Sequence, residues 1–343
     1  MRGKLVTTRI SCLEDIDSTA WNALVASCPD ATCFQTYEWI SSWWKIFGRN
    51  KTLYLQAVLS DDLLVAVAPL FLDSGRLRFI GEDHCDYNIF IWHASEPSVV
   101  EWLLDSILEN EEIDVIQLYE IPEQSVLAKT LLNRQDPRLK RLDSTPCPRL
   151  VNSKETVMRA LNKKSIKRSR NRLARQGKVT IDHFSDYEDI KPYLSTFFRH
   201  HIERWSTTEY PSLFLESDNK AFYEELARSG FPVIFSILKV NDKHAAAHFG
   251  MLSTRYLLWY KPAFDPQLAA YSPGEILLSE LIKYVSANGL AGLDFTRGDE
   301  AFKLRFCSEI RNNVNYRYYH STPYMQNFLD FLKNIIKRAL HVR

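Results

Sequence analysis

Nowhere in the 343 residues does an apolar run approach the roughly 20 residues needed to cross a bilayer. The opening MRGKLVTTRISCLEDID also lacks the long apolar core of a secretion signal. A soluble cytoplasmic protein is expected, with a peripheral contact at the inner face of the membrane left open. Cysteine is sparse and poorly spaced for metal work. Cys12, Cys28, Cys33, Cys85, Cys147 and Cys307 contain no close ligand pair, which argues against a zinc knuckle and gives no disulfide framework. No metal is expected, and a reducing compartment suits these thiols. Net charge is nearly absent, +1 from 43 Lys and Arg against 42 Asp and Glu, so the whole molecule exerts little long-range pull on nucleic acid or an anionic surface.

What is present is a globular composition, with 45% hydrophobic and 25% charged residues, and a length that favours two domains over one. The first half alternates strand and helix patterns. A strand near Leu5 to Ile10 precedes a helix from Ile16 to Ala26 and a second helix from Phe34 to Phe47. The rings Tyr37, Trp39, Trp43, Trp44 and Phe47 suit a core better than a ligand groove. Leu53 to Leu59 and Leu63 to Leu72 form a hairpin, and the almost wholly apolar second arm belongs inside a sheet. The segment GEDHCDYN after Ile80 is read as an exposed polar loop, because its Glu82, Asp83, His84 and Asp86 follow no metal-ligand pattern. Helix Pro97 to Glu109, strand Ile113 to Tyr119 and helix Val126 to Asn133 follow. CPRLV at Cys147 to Val151 is then expected to be the last strand of the first domain, with a boundary near residues 150 to 160.

Residues Lys163 to Lys178, KKSIKRSRNRLARQGK, carry eight lysines or arginines and no acid. As a helix they offer a positive edge to a phosphate-bearing ligand or to RNA, or form a solvated face. No finger motif, glycine-rich RNA clamp or regular aromatic-basic alternation accompanies them. Beyond them come a strand at Val179 to Phe184, a helix at Tyr187 to Trp205 and a helix at Lys220 to Ser229. Strands follow at Val233 to Val240, Ala245 to Leu252 and Tyr256 to Lys261. His200 and His201 are adjacent, point different ways on a helix and make a poor ligand pair.

The organising stretch is Tyr271 to Lys303. Ser272 as N-cap, Pro273 at the first helical position and Glu275 three residues on predict a capping box, and the helix is expected to run to Asn288 and stop at Gly289. LAGLDF then reads as a short buried strand, with Thr296-Arg297-Gly298-Asp299-Glu300 a polar turn at its exit. A rigid strand feeding a charged glycine turn is a plausible edge for an active site.

Several segments together resemble a known family. FQTYEW at Phe34 to Trp39, LNKKSIKRSRNRLARQG, AAAHFGMLSTRYLLWYKPAFD, SPGEILL at Ser272 to Leu278 and DFTRGDEAFKLRF at Asp294 to Phe306 are similar to GNAT-like acyltransferases of the CelD/BcsL group, related to FemAB aminoacyltransferases. The resemblance implies a mixed α/β (α+β) fold of two tandem GNAT-like domains with central curved mixed sheets. It divides the chain as 1–155, a degenerate GNAT-like domain, 156–322, the acyltransferase domain, and 323–343, an amphipathic helix. It also implies an N-acyltransferase with acyl-CoA or acetyl-CoA as donor. The acceptor is an amine on a small molecule, sugar or glycan and envelope precursor of polysaccharide biosynthesis. An aminoacyl-tRNA or acyl-carrier-protein donor and a noncatalytic assembly role are the alternatives. Tyr271-Ser272-Pro273-Gly274-Glu275 departs from the usual Arg/Gln-x-x-Gly-x-Gly/Ala pyrophosphate loop, and the long helical arm of some FemAB enzymes is missing.

Within that frame the residues have chemical roles. Ser272 and Gly274 open a helix whose N–H groups and dipole favour an anion. Arg297 and Lys303 orient a carboxylate or phosphate. Asp294, Asp299 and Glu300 are candidates to position or deprotonate an amine, and His248 and Tyr260 to move a proton. Each also has a structural reading, as a turn ladder or a satisfied strand side chain. No Ser/His/Asp or Cys/His signature calls for a covalent intermediate, so transfer would be direct. In the tail, Phe328, Phe331, Leu332, Ile335, Ile336 and Leu340 form an apolar stripe opposite Lys333, Lys337 and Arg338, suited to packing on the protein or lying on a membrane.

Overall fold

A computed structural model describes residues 5–320 except Asp62, Glu111 and Thr207; the tail stripe lies outside the described residues. In chain order the elements are β1 (Leu5–Ile10), α1 (Ser18–Ser27), α2 (Tyr37–Phe47), β2 (Thr52–Ser60), β3 (Leu63–Asp73), β4 (Arg76–Phe79) and β5 (Ile91–Trp92). Then come α3 (Val99–Leu108), β6 (Val115–Pro122), α4 (Val126–Asn133), β7 (Leu139–Val151), α5 (Lys154–Leu161), α6 (Lys164–Ala174) and β8 (Val179–Phe184). The remainder are α7 (Tyr187–Trp205), α8 (Ser217–Arg228), β9 (Val233–Val240), β10 (Lys243–Ser253), β11 (Tyr256–Phe264), α9 (Pro273–Ala287), β12 (Gly292–Asp294), α10 (Ala301–Phe306) and β13 (Glu309–Tyr319).

Two compact units share these elements, and the division does not follow one cut near residue 155. The first comprises residues up to 31, 50–144 and those from 313 on; the second comprises 32–49 and 145–312. CPRLV is therefore not the closing strand of the first unit. It lies in the second, where Arg149, Leu150 and Val151 pair antiparallel with Asp294, Leu293 and Gly292. An isolated pentapeptide carries no record of which sheet completes its hydrogen bonds.

In the first unit the sheet runs β1-β2-β3-β4-β6-β13, with β5 also on β3. All these pairings are antiparallel except β4 with β6, which are parallel over Arg76–Arg78 and Val115–Gln117. The GEDHCDYN segment is only partly the exposed loop expected. Cys85, Asp86, Tyr87 and Asn88 are buried, and the Asn313 amide donates to the Asp86 carbonyl at 2.7 Å and to Glu120 at 2.9 Å. No three His, Cys, Asp or Glu side chains gather to hold a metal among the described residues.

The second unit's sheet runs β7-β12-β11-β10-β9-β8, antiparallel except for β11 with β12. Side chains alternate across it. On one face Leu257, Trp259, Leu293 and Phe295 pack with Ile276, Leu277, Leu281 and Val285 of α9 and with Ile166 and Leu173 of α6. On the other, rings fill the core. Trp39 lies edge-on to Phe34 at 4.8 Å and to Phe222 at 5.2 Å, and Tyr223 stacks on Tyr260 at 6.0 Å. The ring-rich helix α2 is thus core, but core of the second unit, although the second unit's other residues begin only at Thr145. Thr36 starts α2 by accepting the Trp39 N–H, and Gly48 ends it.

Trp39 is wholly buried. We expect Trp39→Ala to cost about 3–5 kcal/mol in chemical denaturation followed by tryptophan-independent far-UV signals. A loss under 1 kcal/mol would mean that this ring cluster does not hold α2 to the sheet.

Candidate acyl-transfer site

The parallel pair β11 and β12 is in register for only three positions, Tyr256 with Gly292, Leu257 with Leu293 and Leu258 with Asp294. Beyond Leu258 the ladder stops, while β11 continues to Phe264 and the chain after β12 turns away. Asp294 fixes that turn. One carboxylate oxygen accepts Arg149 Nε at 2.6 Å and the other accepts the Thr296 N–H at 2.8 Å, with Asp294 only 1% exposed. Thr296 follows at φ 57°, costly for a β-branched residue and held by these contacts. Gly298 is needed for its φ of 110°, a backbone conformation that L side chains rarely adopt. Lys303, buried, donates to the Arg297 carbonyl at 2.5 Å and pairs with Glu300 at 2.8 Å. Arg297, Glu300 and Lys303 are thereby gathered in one turn, with Asp299 exposed on the same segment. The Lys303 ammonium closes the turn and does not extend into solvent.

Ser272 and Gly274 stand at the start of α9, but the capping box is absent. Ser272 sits at φ 52° without a side-chain cap, and Glu275 instead pairs with Arg305 at 2.7 Å. The left-handed backbone at Ser272 ends a preceding helical turn, Pro266–Tyr271, and this turns its hydroxyl away from the capping position. The Glu275–Arg305 pair ties the first turn of α9 to α10. The basic helix α6 flanks the same turn, with Arg172 over the Tyr271 ring at 5.4 Å and Arg305 within 3.4 Å of Ser165. On its inner side α6 is neutralised by the Arg170–Glu280 pair, and Lys164, Lys167, Arg168 and Arg175 stay exposed.

His248 is not at the surface of this site. It is fully buried, its ring is stacked on Trp259 at 4.4 Å, and Nε2 accepts the Tyr260 N–H at 3.0 Å. The ladder between β10 and β11 shifts between Phe249 and Met251, and the imidazole supplies Tyr260 with an acceptor beside that irregularity. Accepting at Nε2 puts the proton on Nδ1. Burial, reinforced by the charge of His183, lowers its pKa to about 3, so it is neutral at pH 7. The Tyr260 ring belongs to the aromatic cluster, under the Lys261 ammonium at 4.2 Å. These two residues are joined through a main-chain hydrogen bond, which makes a strand-shaping pair of what the sequence reading offered as proton carriers.

Sequence reasoning missed Arg204. It donates to the Pro262 carbonyl at 3.2 Å and lies over the rings of Trp205 and Phe264 at 5.4 and 5.1 Å. Burial lowers its pKa, and the charge of Glu300 opposes that shift. The end of α7, the end of β11 and the 296–303 turn therefore share one electrostatic neighbourhood. Nothing in HHIERW marks that arginine, since its meaning depends on the strand it crosses.

Comparison with known proteins gives these geometries a context. Residues 161–304 match the family model described as Acetyltransferase (GNAT) domain. No curated protein sequence matches the chain. Among solved structures, that of FemX is similar with a TM-score of 0.62 at 14% identity, over 93% of this chain and 99% of that one. The C-terminal domain of a putative lysylphosphatidylglycerol synthetase from Agrobacterium fabrum gives 0.59 at 11% identity, over 94% and 96%. L-PGS from Bacillus licheniformis gives 0.57 at 11% identity, over 94% and 97%. At these identities the likeness is one of fold.

The buried imidazole has a measurable consequence. The unfolded chain protonates His248 near pH 6.5 and the fold resists until about 3, so its contribution to stability is lost as pH falls through that window. We expect His248→Gln to flatten the stability slope between pH 6.5 and 5 by about one proton, roughly 1.4 kcal/mol per pH unit, in denaturant titrations. An unchanged slope would mean that the imidazole is solvated.

Proposed function

We propose that this chain, an enzyme carrying a GNAT acyltransferase domain, moves an acyl group from acyl-CoA to an amine on a small molecule, sugar or envelope precursor. The carrying observation is the three-residue parallel pairing of β11 and β12, past which the two strands part beside a charged turn. Such a gap can admit a thioester between two strand edges, with main-chain groups available to the carbonyl oxygen. In the proposed step the amine attacks the thioester carbonyl. A C–N bond forms, the C–S bond breaks, the amine loses a proton and the thiolate leaves.

Roles follow from position. The N–H groups of Gly274 and Glu275 in the first turn of α9, with Arg172 and Arg305 nearby, would take the donor's phosphates despite the departure from the usual loop sequence. Asp299, exposed on the turn, would hold and deprotonate the amine, with Glu300 beside it on Lys303, and Arg297 and Arg204 would face donor or acceptor oxygens. Asp294 and Lys303 act through the turn they hold, and His248 and Tyr260 through the shape of β11. We read both units as GNAT-like, because each contains one short parallel pair in an otherwise antiparallel sheet, and the first as the degenerate copy. The CelD/BcsL grouping and a role in polysaccharide synthesis at the cytoplasmic face remain with this proposal. One observation favours a second reading: the exposed basic face of α6, in a fold shared with FemX, suits a tRNA-borne donor.

Calorimetry and intact-mass analysis with acetyl-CoA, longer acyl-CoAs and free CoA test the first reading. We expect saturable binding, weakened about tenfold in Arg297→Ala and Arg204→Met, a loss of about 1.4 kcal/mol. Failure of the folded protein to bind any CoA species would overturn it. Binding of charged tRNA that is lost on reversing Lys164 and Arg168 to Glu would then establish the second.

A further inference from the structure

One turn along α7 from Arg204 is a groove that the acyl-transfer proposal does not use. It measures ≈ 600 Å³, within the roughly 300–1,000 Å³ of small-molecule sites, and it lies between α7, the turn that opens β10 and the start of the Pro266–Tyr271 turn. Arg199, His200, Glu203, Lys243, His244 and Asp265 supply its chemistry. His200 is the telling member. The residue is only 5% exposed, its ring nitrogens make no hydrogen bond among the described residues, and the ring lines the groove. Nitrogens that stay accessible on an otherwise buried ring are placed to bond to whatever enters the groove.

The charges limit what that is. Arg199 is paired with Glu203 at 3.3 Å, and Lys243, Asp265 and Asp242 also line the groove. A phosphate would face both of those carboxylates, and a simple cation would face Lys243 and Arg199. Burial lowers the pKa of His200 and of His244, the latter packed against Tyr193 at 5.1 Å, so both rings stand neutral at pH 7. A neutral imidazole offers one donor and one acceptor, and a carboxylate only acceptors. Hydroxyl groups, which both donate and accept, satisfy that set; a fixed charge of either sign does not. Asp265 already accepts the Gln267 N–H at 2.9 Å, so its carboxylate is held in a fixed orientation along the wall.

We propose that this groove binds an uncharged, hydroxyl-rich ring, a sugar residue, through His200, His244 and Asp265. Asp265 directly follows Phe264, whose ring lies beneath the Arg204 guanidinium, and His200 and Arg204 are four residues apart on one helix face. The groove therefore adjoins the acyl-transfer cleft. The assignment deepens the acyltransferase reading by placing the sugar of an amino-bearing acceptor there, but sugar binding itself does not depend on acyl transfer.

Histidine ring resonances of the full chain can be followed by NMR while methyl glycosides of glucose, galactose, glucosamine and N-acetylglucosamine are added singly. Inorganic phosphate and L-alanine serve as the anionic and zwitterionic arms, and a parallel acetyl-CoA titration reports the donor site separately. We expect a glycoside to shift the His200 and His244 signals saturably, with affinity falling about tenfold in His200→Ala and less in His200→Gln. Phosphate or L-alanine taking the groove instead, or no panel member moving these rings in folded protein, would overturn the proposal. Sugar binding without CoA binding would uphold the groove and sink the donor assignment; the reverse result would do the opposite.

Discussion

The buried ion pair between Arg149 and Asp294 is the constraint on which the second unit's candidate site depends. A carboxylate this deep is tolerable only when its oxygens are satisfied, and here one is taken by a guanidinium and the other by the first N–H of the turn it precedes. The same guanidinium lies 4.7 Å from the Tyr256 ring, so one charged group joins β7, β12 and β11. Leaving either partner of such a pair alone costs roughly 3–5 kcal/mol. That energy is enough to hold Thr296 in a backbone conformation it would otherwise avoid. The charged turn therefore starts at one angle from the strand.

Much of this architecture was legible because local chemistry and tertiary environment agree. β8, α4 and α7 fall where strand alternation or helical apolar spacing put them, and α9 stops at Gly289 because only a residue tolerant of φ 61° continues the chain there. The errors lie where a choice is made by a distant partner. The Ser272–Glu275 box fails because Arg305 offers Glu275 a charged partner, which an exposed N–H cannot match. CPRLV and the ring-rich α2 were read correctly as strand and core helix but belong to the second unit, since burial preference states that a side chain goes inside without stating inside what.

The site was legible as a place more than as a mechanism. Asp294, Arg297, Asp299, Glu300 and Lys303 do surround one turn, because a strand exit and a glycine at φ 110° are local signals. Their division of labour is set by depth. Lys303 and Asp294 are buried, Asp294 paired with Arg149 and Lys303 with Glu300 and the Arg297 carbonyl, whereas Asp299 is exposed. His248 shows the same limit from another side: its residue type suits proton transfer, yet full burial lowers its pKa to about 3 and its nitrogen is already an acceptor for Tyr260.

Near-zero net charge conceals a sorting that bears on specificity. The exposed cations Lys164, Lys167, Arg168 and Arg175 of α6 make no ion pair among the described residues, which would suit a phosphate-bearing donor. The groove beside Arg204 mixes both signs around two imidazoles that burial keeps neutral. An anionic donor and an uncharged ring would thus be drawn to different walls of one region without competing. The separation rests on burial as much as on sequence. His200 exposed to solvent would titrate near 6.5 and attract anions in mildly acid conditions, whereas its burial on α7 keeps it neutral and able both to give and to accept a hydrogen bond.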